Sequence, residues 1–297
     1  MLKEMLENVR NMTPLVHNIT NYVTVNDCAN ILLACGGSPI MADDISEVEE
    51  IITICNSLMI NIGTLNERTV KSMLAAGKKA NQLNKPIVFD PVGIGASGLR
   101  TETSKLLLKE LDFSVIRGNI SEIKRVYQVV QNILEEGALQ QTLPGERIAD
   151  GSTAEVRGVD ASISDCVTED NLEATIAFAK RLSQITKAVI VITGAIDIIA
   201  DTKNAFIVRN GHPMMSRITG SGCMLTSVLG AYCTANPAEL TAACAAAVCA
   251  MGLSGELAYD KITSLGEGTG SFRTYLIDFM SRMDGLMLEQ GAKLQRV

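Results

Sequence analysis

Hydrophobic positions along the chain fall into two recurring patterns: short uninterrupted apolar runs, and longer stretches with one apolar face. The short runs have the length and composition of buried strands, and they occupy 57–62, 86–89, 113–116 and 188–192. The longer stretches predict helices over 1–11, 26–35, 45–55, 67–83, 101–111, 121–134 and 172–185. A short extended piece is predicted at 38–42 and a β-hairpin at 197–201 and 204–208, and the chain after residue 223 has a helical pattern.

Strands that alternate with amphipathic helices predict an α/β fold, with a mostly parallel sheet covered by helices on both faces. The sequence has no internal repeat and no linker that divides it, so we expect a single domain over 1–297. A polar stretch with Pro144 and Gly151 predicts a mobile insertion at about 137–158. Ligands of such sheets bind beyond the carboxyl ends of the strands. The segments that follow the strands, among them a predicted turn at 117–119, are therefore the first candidates for a site.

A glycine-rich segment, TGSGCMLTSV at 219–228, leads into an Ala-rich apolar run at 231–258. This pattern predicts a turn that opens one buried helix. The first N–H groups of a helix are unpaired and partly positive, and glycines let an oxyanion approach them, so Gly220, Ser221 and Gly222 are candidates for an anion hole. Cys223 would lie in the first helical turn, where the pKa of a thiol is lowered. The alternative is a turn that only packs the helix against the sheet.

Composition and charge argue against several classes of function. The formal net charge is −7 and no basic block is present, which disfavours binding to nucleic acid or to an anionic membrane. No uninterrupted apolar run reaches the length of a membrane span, and the N-terminal segment is charged and amphipathic, unlike a signal peptide. The 8 cysteines form no C-x-x-C pair, so we expect reduced, mostly buried thiols, no zinc site and a cytoplasmic protein.

Two acidic residues that follow predicted strands are candidates for a Mg2+ site. Asp90 precedes Pro91, and Glu122 follows Asn119 in an N-x-x-E pattern. Carboxylates at neighbouring strand ends suit Mg2+, which prefers oxygen ligands and keeps several waters. The alternatives are structural, with Asp90 as a turn cap and Glu122 as half of a capping box with Asn119.

Other side chains near strand ends have both a functional and a structural interpretation. Arg117 can bind a nucleotide phosphate or form a surface salt bridge, and the Thr193 hydroxyl can bind a phosphate or cap a turn. Met41 is either core packing or the wall of an apolar pocket. His17 and His212 are far apart in sequence, and we expect each to be a structural hydrogen bonder.

Five motifs, in the family order, resemble the hydroxyethylthiazole kinase family, which has the ribokinase-like fold. They are LVHNITN at 15–21, SPIM at 38–41, DPVG at 90–93, RGNISEI at 117–123 and TGSGC at 219–223. The segment GTGSFR at 268–273 is also similar to the family. Together these motifs span nearly the whole chain, and the departure is a longer segment at 126–160.

The resemblance implies ATP- and Mg2+-dependent phosphorylation of the hydroxyl of 4-methyl-5-(2-hydroxyethyl)thiazole, a step of thiamine biosynthesis or salvage. It implies that Arg117 and Thr193 contact ATP, that Asp90 and Glu122 bind Mg2+, and that Cys223 occupies the position of the catalytic base. Members of the family are similar in forming homotrimers with thiazole sites at subunit contacts. The residues implied to contact the thiazole are Met41, Gly220, Asn21 and Val23.

These residues are also compatible with two alternative functions. Another ribokinase-like enzyme, such as a pyrimidine kinase, a pyridoxal kinase or the related hydrate dehydratase, is expected to carry Asp where Cys223 stands. A non-catalytic thiazole- or nucleotide-binding module would not need Asp90 and Glu122 beside the glycine-rich turn. ATP consumption with and without the thiazole alcohol separates all three.

Overall fold

The structure is a computed structural model that describes residues 1–139 and 166–297 of the chain. The predicted insertion at about 137–158 lies outside the described residues from 140 onward. The described helices are α1 (Leu2–Met12), α2 (Val25–Cys35), α3 (Val48–Ile54), α4 (Glu67–Gln82), α5 (Gly98–Glu110), α6 (Ile120–Leu139), α7 (Leu172–Thr186), α8 (Ser221–Ala235), α9 (Leu240–Leu265), α10 (Thr269–Arg282) and α11 (Gly285–Gly291). The described strands are β1 (Leu15–Ile19), β2 (Ser38–Ile40), β3 (Ser57–Asn61), β4 (Ile87–Asp90), β5 (Val115–Asn119), β6 (Val189–Thr193), β7 (Asp197–Ala200), β8 (Ala205–Val208) and β9 (Leu294–Arg296).

These strands form one sheet in the order β2-β1-β3-β4-β5-β6-β7-β8-β9. Neighbours from β2 to β6 are parallel, and β7, β8 and β9 extend the sheet by antiparallel pairing. Successive side chains point to opposite faces, so Val88 belongs to the core cluster that includes residues of α1, α2 and α8 to α11, while Phe89 belongs to the cluster that includes residues of α3 to α7. The predicted α/β fold, with a mostly parallel sheet between two helical layers, is confirmed.

The first strand, β1, was not predicted because polar residues interrupt its apolar pattern. His17 and Asn18 are nevertheless buried. The His17 Nε2–H donates to the Ala42 carbonyl over 2.8 Å, and Asn18 Oδ1 accepts from the Ser227 hydroxyl over 3.0 Å. Buried polar groups are tolerated when they are hydrogen-bonded, and here the partners lie far away in the sequence.

The predicted turn at 117–119 is wrong, because these residues complete β5. Arg117, Gly118 and Asn119 pair in parallel register with the end of β6, up to Thr193. Glycine and asparagine favour turns locally, but the ladder to the neighbouring strand outweighs that preference.

The Ala-rich run predicted as one helix is divided between α8 and α9. Pro237 cannot continue a helix because it lacks an N–H group, and the Asn236 side chain closes α8 by donating to the Tyr232 carbonyl over 2.9 Å. Within the described ranges, the helical stretch Pro237–Leu265 is long and apolar enough to cross a membrane by length and composition, although its apolar run is interrupted by Glu239, Glu256, Asp260 and Lys261. Most of its apolar surface is buried in the fold, where α9 packs against α8 and α10.

Candidate active site

The candidate active site lies at the carboxyl ends of β3 to β6, where polar side chains end neighbouring strands. The register pairs Asn61 with Asp90 and Asn119 with Thr193. The first turns of α8 lie against these ends, because the Thr226 hydroxyl donates to Asp90 Oδ2 over 2.8 Å. The strand ends and the glycine-rich turn therefore meet in one place.

The glycine-rich turn depends on two of its glycines. Gly220, directly before α8, has a left-handed φ of +85°, and a side chain there would collide with Thr24. At Gly222, a Cβ atom would lie 2.5 Å from Nη1 and 2.8 Å from Nη2 of Arg117. The start of α8 is thus in close contact with a guanidinium group, an arrangement that suits an oxyanion.

Arg117 contacts both Thr193, the other predicted phosphate-binding residue, and Asp90. Its Nη2 donates to Thr193 Oγ1 over 2.6 Å, and its Nη1 lies 3.6 Å from Asp90 Oδ1. The Arg117 side chain is only 13% exposed and Asp90 is fully buried. Because of this burial, the alternative of a surface salt bridge for Arg117 is wrong.

A cavity of about 630 Å³ opens beside this group, a volume within the usual range for a small-molecule site. Its lining includes Arg117, Thr193, Gly194, Asp197, Ser221 and Gly222, together with the apolar side chains of Met215, Leu225, Val248 and Met251. The cavity therefore offers one ligand both anion-binding groups and apolar surface.

Asp197 and the apolar wall of this cavity were not predicted from the sequence. Asp197 was only the first residue of a predicted hairpin, and apolar residues of helices ordinarily predict core packing. In the structure the Gly194 N–H donates to Asp197 Oδ1 over 2.9 Å. Burial raises the pKa of Asp197 to about 7, although this hydrogen bond and the charge of Arg117 act in the opposite direction.

Asn61 connects Asp90 to Cys223. Its Nδ2 donates to Asp90 Oδ2 over 2.8 Å and to Cys223 Sγ over 3.2 Å. Asn21 Nδ2 also donates to Cys223 Sγ over 3.2 Å, so the sulfur accepts from two amides. Burial raises the pKa of Asp90, and Arg117 and these hydrogen bonds offset part of that effect.

The expected lowering of the Cys223 pKa is wrong. The thiol lies in the first turn of α8, as predicted, but burial and the neighbouring charge of Asp90 raise its pKa to about 12. Desolvation of the thiolate therefore outweighs the helix N-terminus, and the resting group is a thiol.

Glu122 forms the capping box that was one of its two interpretations. Its Oε2 accepts from the Asn119 N–H over 2.8 Å, and Asn119 Oδ1 accepts from the Glu122 N–H over 2.9 Å. Its Oε1 accepts from the Gly93 N–H over 2.9 Å. Burial and the charge of Asp90 raise the pKa of Glu122 to about 7. Gly93 lies three residues after Asp90, so the bond from its N–H places Glu122 at the segment that follows β4, and a cap is compatible with a cation site there.

Asp90 also has an oxygen that suits a metal ion. Its Oδ2 is held by Asn61 and Thr226, whereas Oδ1 accepts no hydrogen bond from the described residues. Arg117 Nη1 is an ion-pair partner of Oδ1 at 3.6 Å but does not donate to it, and a buried carboxylate oxygen without a hydrogen bond is costly unless a ligand completes it. In the part of the chain that the structure describes, no group of three or more His, Cys, Asp or Glu side chains could hold a metal. A cation at Asp90 and Glu122 would therefore have few protein ligands and many waters, as Mg2+ does.

The residues expected at the thiazole differ in their surroundings. Asn21 is buried and touches the Cys223 thiol, and Met41 packs against the core that includes Cys223. Val23 is 56% exposed, and the adjacent Tyr22 is 79% exposed. Neither these residues nor Gly220 are among those that line the 630 Å³ cavity in the described structure, and of the four only Asn21 has a hydrogen bond to the Cys223 thiol.

Both histidines are structural hydrogen bonders, as expected. His212 Nδ1 accepts from the Met214 N–H over 3.1 Å, and its ring stacks on Tyr259 at 3.5 Å between centroids. His17 holds the Ala42 carbonyl, as described above.

Known proteins resemble this chain over its full length. The model of the hydroxyethylthiazole kinase family matches residues 6–137 and 147–285. A hydroxyethylthiazole kinase of Clostridium acetobutylicum is 55% identical over 295 residues, which are 99% of each chain. The solved structure of a hydroxyethylthiazole kinase protein from Pyrococcus horikoshii has a TM-score of 0.80 and 33% identity, and the match covers 100% of this chain and 98% of that one. A ribokinase-like superfamily protein from Enterococcus faecalis shares the fold, with a TM-score of 0.57, 13% identity and 95% of each chain covered.

Proposed function

The chain belongs to the hydroxyethylthiazole kinase family, and from this premise we propose how its residues transfer a phosphoryl group from ATP to the hydroxyl of 4-methyl-5-(2-hydroxyethyl)thiazole. One observation carries the proposal: Arg117, Thr193 and the start of α8 meet beside Asp90 and Cys223. Phosphoryl transfer needs alignment and charge stabilisation more than covalent chemistry, and this group of residues supplies both.

ATP occupies the 630 Å³ cavity, with its phosphates beside Arg117 and Thr193 and its base against the apolar side chains of the lining. Arg117 and Thr193 bind the phosphates, and the amides of Gly220, Ser221 and Gly222 face the oxygens of the transferred group. The 2.6 Å bond from Arg117 to Thr193 supports this role, because it aims both side chains at one position.

Asp90 and Glu122 hold Mg2+. When bound, the ion would neutralise phosphate charge. The support is Asp90 Oδ1, which accepts no hydrogen bond from the described residues, and the bond to Glu122 Oε1 from the N–H of Gly93, three residues after Asp90.

In the reaction, the thiazole hydroxyl oxygen bonds to the γ-phosphorus of ATP, the bond from that phosphorus to the β–γ bridging oxygen breaks, and ADP leaves. The hydroxyl proton passes to Cys223 Sγ in its thiolate form, which arises when the resting thiol first loses its own proton to water. The amides of Asn21 and Asn61 donate to this sulfur and stabilise the thiolate form that accepts the proton. Because the pKa of Cys223 is about 12, little thiolate is present at neutral pH. In a loose transition state the hydroxyl proton leaves late, so the reaction depends only weakly on this base.

Substitutions at Cys223 test the base. We expect Cys223→Ser to slow phosphorylation by about 10²-fold, the low end for general-base help, because a hydroxyl keeps the hydrogen bonds but is a poor base. Cys223→Asp should keep or raise activity, because a carboxylate accepts from the same two amides without prior deprotonation. Turnover and melting temperature of both variants are measured. A folded but inactive Asp variant beside a fully active Ser variant would refute the assignment.

The thiazole site includes Met41, Gly220, Asn21 and Val23, and a neighbouring subunit of a homotrimer completes it. The support is the exposure of Val23 and Tyr22 beside the buried Asn21. If an exposed residue contacts the thiazole, one chain leaves that side of the binding site open to solvent, and a second chain can close it. Light scattering measures the assembly. A fully active monomer would contradict the shared site.

The substrate of this enzyme is the thiazole alcohol and not the acceptor of a related kinase. The enzyme works in the cytoplasm. All eight cysteines are free thiols, which suits a reducing compartment. ADP release is measured with the thiazole alcohol, with pyridoxal, with a pyrimidine alcohol and with no acceptor. Release that depends on the thiazole alcohol alone is expected. Release that is greater with pyridoxal would favour the rival kinase.

A further inference from the structure

Asn61, the last residue of β3, is fully buried and uses both ends of its side-chain amide. In addition to the two bonds that Nδ2 donates to Asp90 and Cys223, Oδ1 accepts from Asn21 Nδ2 over 3.0 Å and from the Gly63 N–H over 2.9 Å. The orientation of the amide follows from this network, because a flip would set Nδ2 against two donors. Asn61 therefore has one possible orientation, and its donor faces the reaction site.

The Asp90 carboxylate is held at one oxygen only. Asn61 Nδ2 and Thr226 Oγ1 each lie 2.8 Å from Oδ2, while Oδ1 has no hydrogen-bond partner in the described ranges and faces Arg117 Nη1 at 3.6 Å. Two donors on the same oxygen restrict rotation of the carboxylate. Oδ1 is consequently the oxygen that stays open to a cation.

The Cys223 thiol is held in a similar way. Asn61 and Asn21 both donate to Sγ over 3.2 Å, and the backbone of Gly63 packs against them, since a Cβ there would lie 2.9 Å from Asn61 Oδ1 and 3.0 Å from Asn21 Cβ. Asn21 Nδ2 also donates to Asn61 Oδ1 over 3.0 Å, so the two amides are joined to each other as well as to the sulfur. This linkage restricts the position of the sulfur relative to both amides.

We propose that Asn61 is a positioning residue that orients both the metal-facing oxygen of Asp90 and the proton-accepting sulfur of Cys223. One amide nitrogen serves both groups, so the geometry of the metal ligand and of the base is coupled through a residue that touches neither substrate. This inference rests on the proposed function, because it assigns Asn61 to the same site.

Two variants distinguish the effect of Asn61 on Asp90 from its effect on Cys223. Asn61→Asp keeps the volume and the acceptor oxygen but replaces the donor with a negatively charged oxygen. Thr226→Val removes the second donor to Asp90 and leaves the bond from Asn61 to Cys223 intact. Both variants should weaken Mg2+-dependent binding of ADP, measured by calorimetry, by about 10–100-fold, the range for residues that orient metal ligands.

Only Asn61→Asp should also change the thiol. We expect alkylation of Cys223 by iodoacetamide to slow by about tenfold or more, because one hydrogen bond to the thiolate is lost and a like charge is added. The rate is followed by mass spectrometry of the Cys223 peptide in a Cys166→Ser background, since Cys166 is the exposed thiol. Thr226→Val should alkylate at the wild-type rate.

Asn236→Asp is the matched control. Asn236 is also buried, and its Nδ2 donates to the carbonyls of Met5 and Tyr232 at the opposite end of α8. This control should lower the melting temperature and leave ADP binding and Cys223 alkylation unchanged. An Asn61→Asp variant that behaves in the same way would overturn the inference. If Asn61→Asp does not fold, Asn61→Ser is submitted to the same two measurements and the same criterion.

Failure of this inference and failure of the proposed function give different results. Wild-type protein that consumes no ATP with the thiazole alcohol would refute the proposed function, whereas calorimetry and alkylation involve no turnover and still decide the role of Asn61.

Discussion

Replacing Gly222 with alanine isolates the contribution of Arg117 to nucleotide binding. Gly222 is the second residue of α8 and is not among the glycines with positive φ, so alanine fits the backbone. The new Cβ would lie 2.5 Å from Nη1 and 2.8 Å from Nη2 of Arg117. Because these atoms end a flexible side chain, the guanidinium moves and the helix does not. The 2.6 Å bond from Arg117 to Thr193 is the contact that is lost.

The expected magnitudes follow from these contacts. Alanine favours a helix by about 1 kcal/mol over glycine, and a lost hydrogen bond costs about 0.5–1.5 kcal/mol, so the free energy of unfolding should hardly change. A charge-assisted bond to a phosphate contributes about 1.5–3 kcal/mol, so the KM for ATP should rise by about 10- to 150-fold. The KM for the thiazole alcohol should not change, because Arg117 lies on the nucleotide side of the site.

Steady-state kinetics with each substrate varied in turn, together with melting temperatures, test this prediction. Gly98→Ala is the control, because Gly98 begins α5 and a Cβ added there would have no described atom within 4 Å. It should share any gain in helix stability and leave both KM values unchanged. A Gly222→Ala enzyme with the wild-type KM for ATP would refute the role of Arg117 in binding the phosphates.

Three further substitutions test other parts of the account. Glu122→Gln should lower the free energy of unfolding by about 1–3 kcal/mol and reduce turnover, because the amide oxygen can accept only one of the two N–H groups that the carboxylate oxygens bind. A destabilised variant with unchanged turnover and Mg2+ dependence would show that Glu122 is only a helix cap. Asp197→Asn keeps an acceptor for the Gly194 N–H and removes a carboxyl whose pKa burial raises to about 7. The folded wild type keeps this proton up to pH values near 7, whereas the unfolded chain loses it near its ordinary pKa of 3.8, so this group's contribution to the free energy of unfolding falls as pH rises between these values. The KM for ATP should rise through pH 7 as the carboxylate becomes charged, and Asp197→Asn should flatten both profiles; parallel profiles for variant and wild type would contradict this. Tyr232→Phe removes a buried hydroxyl without a partner among the described residues, and urea unfolding should show an unchanged or higher stability, by up to about 2 kcal/mol, whereas a clear loss would contradict the absence of a partner.

Local patterns predicted the parts of the fold that depend on local preferences. The apolar runs of β3, β4 and β6 and the amphipathic helices were predicted within a few residues. β1 was missed because His17 and Asn18 are made compatible with the core by Ala42 and Ser227, which are distant in sequence. The turn at 117–119 was wrong for the same reason, because only pairing with β6 makes those residues a strand.

The same division holds in the site. Asp90, Arg117, Thr193 and Cys223 were predicted, since a glycine-rich turn and strand ends leave a pattern in the sequence, and the structure brings them together. Asn61 carries no such pattern, and its importance arises from partners contributed by other elements. The pKa of Cys223 was expected to fall because of the helix N-terminus, but burial and Asp90, which no local pattern reveals, raise it.

The most direct test of the central claim is phosphorus NMR of the wild-type enzyme with ATP, Mg2+ and the thiazole alcohol, compared with Asp90→Asn under the same conditions. Asparagine retains an acceptor for Asn61 and Thr226, and burial already disfavours the charge of Asp90, so this variant should fold. The account predicts one phosphate ester on the alcohol for each ADP formed by the wild type, and little ester from the folded variant. ADP without the ester, or ester formed by Asp90→Asn at the wild-type rate, would contradict it.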